Sequence, residues 1–393
     1  MIPALMPTYA RADIAFERGE GAYLYDGRGR AYLDFASGIA VTGLGHGHPH
    51  LLEALAGQAR KLWHTSNLFE IPGQQRLAER LVAHSFADTV FFCNSGAEAV
   101  ECGLKLIRKH FDATGKPERY RVITFEGAFH GRTLAAVSAG GQAKHLDGFG
   151  PPVDGFDKVP FGDTNAVRAA VRPETAAILV EPVQGESGVR PAPEGFLRAL
   201  RDAADEFGLL LFFDEVQCGM GRTGTLFAYE HAGVAPDVMA IAKGIGGGFP
   251  LAACLATEAA ASGMTPGSHG STYGGGPLAT AVGNAVLDVI LSDGFLDRVR
   301  ETGRLLRKRL EAVVRTYPRV LEEVRGLGLM LGLKCRCPHR QMAERLRAHG
   351  LLTAPADDNV VRFLPPMIIE ERHIDEAVSC LGRACEDFGA GHA

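Results

Sequence analysis

The stretch LLLFFDEVQ, from Leu209 to Gln217, decides the fold class of this chain. It begins as a short apolar run, which is typical of a buried strand, and it ends in two acids, Asp214 and Glu215. In an open α/β sheet, ligands bind outside the carboxyl ends of the strands, so Asp214 is a candidate ligand-binding residue. A helix N-cap or a solvated loop acid explains Asp214 alone equally well.

Similar apolar runs alternate with helical stretches along the chain. VITF, AAILVEP and VMAIAK are separated by segments such as GFLRALRDAADEFG, and this alternation predicts an α/β fold with a parallel sheet covered on both faces. We predict an N-terminal arm over residues 1–51 that belongs to a smaller domain, a large domain over 52–290, and a small α+β domain over 291–393. One long amphipathic helix is expected around Ala281 to Val314.

A lysine follows one of these strands, in IAKGIGGGFP (Ile241 to Pro250). Burial at a strand end removes hydration from Lys243, which lowers the pKa of its amine and makes it a nucleophile toward carbonyl groups. The alternative is a snorkelling lysine beside a flexible turn. Paired with Asp214, however, Lys243 fits pyridoxal 5′-phosphate, because the lysine binds the aldehyde and the carboxylate keeps the pyridine nitrogen protonated.

A third segment, FFCNSGAEA, is typical of a strand, a turn of small residues and a helix. The amides of Ser95, Gly96 and Ala97 would lie at the helix N-terminus, which suits a phosphate dianion. An ordinary serine N-cap would give the same letters.

A fourth segment, GAFHGRT, follows the strand RVITF. Phe129 can stack on a heteroaromatic ring, His130 can support that stack, and Arg132 can hold a carboxylate with its bidentate fork. A core aromatic, a satisfied histidine and a surface arginine are the alternatives. The occurrence of all these segments in one chain favours a cofactor site.

Together these motifs resemble the class III, fold-type I pyridoxal-phosphate aminotransferases, and most closely the acetylornithine aminotransferases. The resemblance runs over nearly the whole chain, in the segments YLDFASGIAVTGLGHGHP, HTSNLF, NSGAEA, FHGRT, EPVQGE, DEVQ, AKGIGGGFP, HGSTYGGGPLA and RFLPP. It implies a large domain with a mostly parallel seven-stranded sheet and a smaller α+β domain.

Position by position, the resemblance implies that Lys243 is the Schiff-base lysine and Asp214 the partner of the pyridine nitrogen. The implied cofactor-binding residues are Ser95, Gly96, Ala97, Phe129, His130, Asp214, Glu215, Val216, Gln217, Lys243 and, from a neighbouring subunit, Thr272. The implied substrate-binding residues are Arg132, Ser271, Glu186 and Arg362, and no metal is implied. A site completed by Thr272 of a second subunit implies a homodimer.

Electrostatics also explains why an aminotransferase would pair Glu186 with Arg362. An aminotransferase of this kind binds a long amine whose reacting carbon carries no carboxylate, and then 2-oxoglutarate, whose reacting carbon carries one. Pairing with Glu186 hides the charge of Arg362 in the first half-reaction, and the keto-acid carboxylate displaces Glu186 in the second. A purely structural salt bridge would leave the same two residues.

The reaction implied is transfer of the terminal amino group of N2-acetyl-L-ornithine to 2-oxoglutarate, giving N-acetyl-L-glutamate 5-semialdehyde and L-glutamate, in arginine biosynthesis. Ile39 stands where relatives that use ornithine carry a tyrosine, and an apolar residue there favours an acylated amine. The resemblance leaves open aminotransferases acting on N-succinylornithine, N-succinyl-diaminopimelate or ornithine, and also a pyridoxal-phosphate aminomutase.

An NAD-dependent dehydrogenase is the alternative from another class, because Gly219 to Gly224 match G-x-G-x-x-G. The sequence around the match does not fit a dinucleotide-binding site, since polar residues separate the strand from the glycines and TLFAYEHAG gives no clear helix start.

The composition fits a cytoplasmic enzyme whose partners are small molecules. The net charge of −5 and a pI near 6.3 provide no basic surface for nucleic acid or anionic lipid. We read no signal peptide and no apolar run of transmembrane length. The eight cysteines include one cluster with a histidine, Cys335, Cys337 and His339, whose spacing fits reduced thiols better than zinc.

Overall fold

A computed structural model describes residues 3–389 of the chain. Strands β1 to β17 span, in order, Phe16–Glu20, Tyr23–Asp26, Ala31–Asp34, Thr89–Cys93, Arg121–Phe125, Phe156–Val159, Thr175–Val180, Val183–Gln184, Arg190–Pro191, Leu210–Asp214, Val238–Ile241, Ala252–Ala256, Leu321–Leu327, Met330–Cys335, Leu351–Leu352, Ala354–Ala356 and Val360–Phe363. Helices α1 to α12 span Ser37–Ala40, Pro49–Ala59, Pro72–Ala83, Gly96–Ala113, Leu134–Ala139, Thr164–Ala170, Phe196–Phe207, Glu258–Ala261, Pro277–Ile290, Phe295–Thr316, His339–Ala348 and Glu371–Gly389. Short 3₁₀ helices lie at Ala143–His145, Ala228–Ala232 and Lys243–Gly246.

The central sheet has seven strands in the order β4-β12-β11-β10-β7-β5-β6. Strand β12 pairs antiparallel with both of its neighbours, and the pairs among β11, β10, β7, β5 and β6 are parallel. The predicted α/β fold with a mostly parallel seven-stranded sheet is therefore confirmed.

Both faces of this sheet are buried, as strand β10 shows. Leu211 and Phe213 pack in one apolar cluster that includes helix α7, whereas Leu210 and Phe212 pack in a second cluster that includes helix α4. Alternate residues of a strand point to opposite faces, so an unbroken apolar run is what a sheet covered on both sides requires.

Two four-stranded sheets flank the central one, in the orders β1-β2-β3-β15 and β13-β14-β17-β16. Strand β15 pairs parallel with β3, with Leu351 opposite Leu33, so the N-terminal strands share a sheet with a C-terminal segment. Strand β17 carries Arg362 and pairs with β14.

The prediction of one long helix around Ala281 to Val314 was wrong. The region folds as α9 and α10, which meet at an angle of 72°. Gly294 forms the break, with a φ of 74° at the N-cap of α10, a backbone conformation that glycine adopts without steric cost.

No single helix among the described residues combines the length and the apolar composition of a membrane span. Helices α9 and α10 meet both criteria only when they are taken together across their bend.

Candidate active site

Four polar side chains and one aromatic side chain, from five strands of the central sheet, converge at one edge. Asp214 ends β10 and Glu181 follows β7, while Ser95, Phe129 and Lys243 lie just beyond β4, β5 and β11. They border a cavity of about 400 Å³. Its walls are formed by Val41, Asn94, Ser95, Gly96, Ala97, Phe129, His130, Gly131, Glu181, Asp214, Val216, Gln217, Ala242, Lys243, Gly248, Phe249, Pro250 and Leu251. The sheet topology thus brings together residues that are far apart in the sequence.

Asp214 is buried and held from two sides. Its Oδ1 accepts a hydrogen bond from the backbone N–H of Val216 at 3.0 Å, and its Oδ2 lies 2.8 Å from Nδ1 of His130. Burial lowers the pKa of His130, but the hydrogen bond and charge of Asp214, with the charge of Glu181, outweigh burial and leave the pKa raised. The carboxylate is therefore fixed in orientation at the cavity wall.

Lys243 is fully buried and carries a reactive amine. Burial and, to a smaller extent, the charge of Arg362 lower the pKa of Lys243 to about 8, against the opposing effect of nearby carboxylates. Lys243 also has a φ of 50°, which is sparsely populated for a residue with a side chain. Such backbone strain persists where the surrounding structure imposes it, and it is common at active sites.

The N-terminus of helix α4 provides an anion-binding corner. Ser95 caps it, since its Oγ accepts from the N–H of Glu98, whose carboxylate accepts from the N–H of Ser95. The N–H of Ser95 is thus taken, and those of Gly96 and Ala97, as the first groups of a helix, lack intrahelical acceptors. A side chain at Gly96 would place its Cβ 2.8 Å from Val216, so only glycine fits there.

The segment after β5 packs directly on this corner. Gly131 has a φ of 131°, and a Cβ there would lie 2.7 Å from the Cβ of Ala97. The guanidinium of Arg132 lies 5.5 Å from the ring centre of Phe129, and its Nη2 lies 3.1 Å from Nε2 of His145. Arg132 is therefore an exposed residue that follows the cavity-lining Gly131 and whose guanidinium contacts His145.

Arg362 is the largest fully buried side chain of the described region. Its Nη1 donates to Oε1 of Glu186 at 2.7 Å and to Oε1 of Gln217 at 3.3 Å, and its Nη2 donates to the carbonyl of Pro355 at 3.2 Å. Glu186 remains 26% exposed. The acid therefore has contact with solvent, whereas the arginine has almost none.

Six of the residues that the resemblance implied lie outside the cavity wall: Arg132, Glu186, Arg362, Glu215, Ser271 and Thr272. Glu215 is buried, but its carboxylate accepts from the backbone N–H groups of Ala228 and Tyr229, so it stabilises a neighbouring 3₁₀ helix. Ser271 accepts from the N–H of Gly274, and Thr272 is exposed at the surface.

A left-handed turn carries the chain into the site beside Val41. Ser37, Gly38, Ile39 and Ala40 all have φ between 47° and 65°. The buried carboxylate of Asp34 fixes this turn by accepting from the N–H of Ser37. Ile39 is 40% exposed at the apex of the turn.

Sequence reasoning assigned no role to Glu181, Asn94 and His145. Glu181 Oε1 accepts from the N–H of Phe129 at 2.8 Å and Oε2 from the N–H of Gly185 at 3.2 Å, so it joins two loops of the site. Burial raises the pKa of Glu181 to about 7. Its place directly after β7 is the same signal that identified Asp214, and that signal could have found Glu181 too.

The segment Gly219 to Gly224 does not form a dinucleotide site. It folds as a series of turns that does not lead directly into a helix, and Arg222 inside it is buried, donating to the carbonyl of Leu329. A dinucleotide fingerprint needs a helix N-terminus at this point.

The cysteine and histidine cluster also has ordinary partners. Cys335 is a buried free thiol, and Nδ1 of His339 lies 3.0 Å from Oδ1 of Asn359. Across residues 3–389, no group of three metal-ligating side chains is found.

The arrangement fits pyridoxal phosphate on observations of this structure alone. Lys243 supplies a buried amine with a lowered pKa, Asp214 a fixed carboxylate, and helix α4 two amides for a phosphate. In addition, the buried Nε2 of His130 has no hydrogen-bond partner within residues 3–389. An α/β fold with this set of groups defines a pyridoxal-phosphate enzyme.

Residues 6–385 match the family model described as aminotransferase class-III. The chain is 60% identical to the acetylornithine aminotransferase of Mesorhizobium japonicum over 96% of this chain and 94% of that protein. It superimposes on N-acetylornithine aminotransferase from Stenotrophomonas maltophilia with a TM-score of 0.86 and 38% identity, over 98% of each chain. It also superimposes on ornithine aminotransferase from Toxoplasma gondii with a TM-score of 0.95 and 30% identity, over 99% of this chain and 94% of that one.

The chain therefore belongs to the class-III aminotransferase family, and its cofactor is pyridoxal 5′-phosphate. Because structures of proteins named for ornithine and for N-acetylornithine both superimpose on it, the fold alone does not separate these two substrates.

Proposed function

We propose that this enzyme transfers the terminal amino group of N2-acetyl-L-ornithine to 2-oxoglutarate, giving N-acetyl-L-glutamate 5-semialdehyde and L-glutamate, in arginine biosynthesis. The observation that carries the proposal is the buried Arg362, masked by Glu186 at 2.7 Å beside Lys243. The proposal is supported by 60% identity to a protein named for this substrate.

The residues of the cavity divide the task of holding the cofactor. Lys243 would attach to its aldehyde, and Asp214, oriented by His130, would keep its pyridine nitrogen protonated. The N–H groups of Gly96 and Ala97 would hold the phosphate, with the hydroxyl of Ser95 beside them. Val216 and Phe129 would pack on the two faces of the ring, and Gln217 would serve its phenolic oxygen. When bound, the cofactor supplies an electron sink for the pair released at the donor carbon.

Lys243 then acts as the proton carrier of the site. With the donor amine in its place on the cofactor, the freed amine of Lys243 would take the proton from the donor carbon as a base and deliver it, as an acid, to the carbon of the former aldehyde. A pKa lowered to about 8 leaves an appreciable neutral fraction of this amine near neutral pH. The first product leaves before 2-oxoglutarate binds, while the amino group stays on the enzyme, so the kinetics are ping-pong.

Arg132, Ser271, Glu186 and Arg362 hold the substrates. Arg132, which follows the cavity-lining Gly131, binds the carboxylate of the acylated amine, which is far from the reacting carbon. During this half-reaction Glu186 neutralises Arg362. When 2-oxoglutarate arrives, its carboxylate replaces that of Glu186, which is partly exposed and in contact with solvent.

The choice of N-acetylornithine over ornithine is supported by Ile39. This residue lies partly exposed at the apex of a left-handed turn next to the cavity-lining Val41. An apolar side chain there offers no hydrogen-bond partner to a free α-amine, whereas an acylated amine needs none. N-succinylornithine remains an alternative, because its acyl group differs only far from the cofactor.

We also propose that the enzyme is a homodimer in which Thr272 completes the phosphate site of the partner. The segment 63–68 lies beside the loop of Thr272, since the ring of His64 meets that of Tyr273 and Asn67 donates to the carbonyl of Ser271. In these two segments Trp63 is 68%, Leu68 87% and Tyr273 68% exposed, and large exposed apolar side chains favour a subunit interface. Sedimentation of Leu68→Lys should show monomers that have lost cofactor, and a dimeric variant with full cofactor would contradict this assembly.

The division into an arm and small domain (residues 1–51 and 291–393) and a large domain (52–290) remains our proposal, supported by the pairing of β3 with β15. We place the enzyme in the cytoplasm, because its eight cysteines are free thiols, as in a reducing compartment.

The reaction is tested by mixing the enzyme with N-acetylornithine in the absence of a keto acid. The absorbance of the lysine-bound cofactor, followed by stopped flow, should decay rapidly with N-acetylornithine and slowly with ornithine. N-succinylornithine, run in parallel, measures tolerance for the acyl group. Equal rates with ornithine would refute the acyl preference, and no decay with any of the three amines would refute the proposed reaction.

A further inference from the structure

His145 occupies a place that the reaction described above does not explain. It lies partly buried on the 3₁₀ helix Ala143–His145, next to the cavity-lining Phe129. Its ring meets that of Phe129 edge-on, with centres 5.7 Å apart and an interplanar angle of 82°. Its Nε2 lies 3.1 Å from Nη2 of Arg132.

The chemistry of this contact determines the state of the histidine. A guanidinium has five N–H donors and no acceptor, so Nε2 of His145 can only accept the hydrogen bond. The ring must therefore be neutral, with its proton on Nδ1. A protonated ring would lose the acceptor and place two cations 3.1 Å apart.

The segment that carries His145 is anchored through its neighbour Lys144. Lys144 binds both carboxylate oxygens of Asp357, at 2.6 and 2.7 Å. The N–H of Asp357 in turn donates to the carbonyl of Glu186 at 2.9 Å. The backbone beside His145 is thus fixed by contacts that do not involve Arg132.

We propose that His145 is a positioning residue for Arg132: its neutral ring accepts a hydrogen bond from Nη2 and aims the guanidinium at the carboxylate of the acylated amine. This inference rests on the proposed function, because it requires Arg132 to bind that carboxylate. The same guanidinium lies over the ring of Phe129, which limits its movement from below. One arginine is thereby oriented by two aromatic side chains.

The charges around His145 favour the neutral ring. Burial lowers the pKa of His145, the positive charges of Arg132 and Lys144 lower it further, and the carboxylates of Asp357 and Glu186 oppose them. The ring is therefore neutral at neutral pH. As the pH falls through the lowered pKa, Arg132 loses its support, so affinity for the amine should fall on the acid side.

Two amines that differ by one group test this inference. N-acetylputrescine is N-acetylornithine without its carboxylate. His145→Phe keeps an aromatic ring and removes the acceptor, and we expect kcat/KM for N-acetylornithine to fall about tenfold, mainly through KM, as expected for loss of one hydrogen bond to a charged group. Its kcat/KM for N-acetylputrescine should stay within about threefold of the parent, a change of well under one kcal/mol.

Two further variants separate positioning from simple structural damage. His145→Gln restores an acceptor and should recover most of the loss. The acid-side fall in kcat/KM for N-acetylornithine should also disappear in His145→Phe. His84→Phe, at an exposed histidine after helix α3, serves as the matched control.

Binding of N-acetylnorvaline, which keeps the carboxylate and lacks the reacting amine, gives a readout without turnover. Calorimetry should show weaker binding by His145→Phe to the same extent as the rise in KM. Equal losses for both amines, or unchanged binding of N-acetylnorvaline, would overturn the inference.

Arg132→Met distinguishes a failure of the inference about His145 from a failure of the proposed function. If this variant no longer discriminates between the two amines while His145→Phe still does, the role of His145 is wrong and the proposed function stands. If the parent enzyme does not use N-acetylornithine, the proposed function and the inference fall together.

Discussion

Arg362→Met should damage one half-reaction and spare the other. Methionine fills the space of the arginine stem without its charge, and it leaves Glu186 and Gln217 without the donor that both now share. Arg362 is only 2% exposed, so a carboxylate that binds there is removed from water and depends on the guanidinium.

The magnitude follows from the burial of the pair. Removing one partner of a buried ion pair costs about 3 to 5 kcal/mol, and the 26% exposure of Glu186 places this site at the lower end. About 3 kcal/mol corresponds to a roughly 100- to 200-fold loss in the rate constant for 2-oxoglutarate. The amine half-reaction, whose donor carries no carboxylate at the reacting carbon, should change by less than about tenfold.

Stopped-flow single turnovers measure the two halves separately. The enzyme is mixed with N-acetylornithine to follow loss of the cofactor absorbance, and the aminated enzyme is then mixed with 2-oxoglutarate to follow its return. Glu186→Gln is the matched variant, and because it leaves Arg362 unmasked, it should improve glutamate as a donor relative to N-acetylornithine. Equal losses of Arg362→Met in both halves would refute the switch and reduce the pair to a structural salt bridge.

Two further predictions concern the cofactor. Asp214→Asn keeps the shape of the side chain but cannot hold the pyridine nitrogen protonated, so turnover should fall by about 10² to 10³ while the visible absorbance of bound cofactor persists. The exposed Asp202→Asn on α7 is the control. Unchanged turnover of Asp214→Asn would refute the role of this carboxylate. In the cofactor-free protein only the neutral amine of Lys243 reacts, and since its pKa is lowered to about 8, the rate of cofactor attachment should rise as the pH increases through about 8. A rise only near the ordinary lysine range would show that burial does not lower the pKa of Lys243.

The sequence by itself determined the fold class and the centre of the site. Uninterrupted apolar runs such as Leu210–Phe213 require burial on both faces, and that requirement is local to each strand. Asp214 and Lys243 could be assigned because each directly follows such a run, and parallel strands bring their carboxyl ends to one edge. The sequence did not reveal that the long helix expected there is divided. The break between α9 and α10 ends at the single residue Gly294.

Only the tertiary structure decided which side chain meets which. Glu215 is adjacent to Asp214 in the sequence, yet it points away from the cavity, because successive residues at a strand end face opposite sides. The contact of Arg362 with Glu186 joins residues 176 positions apart, and that of Arg132 with His145 depends on a loop anchored through Asp357. Such contacts depend on how separate elements pack, and the local pattern of residues that forms each element does not encode them.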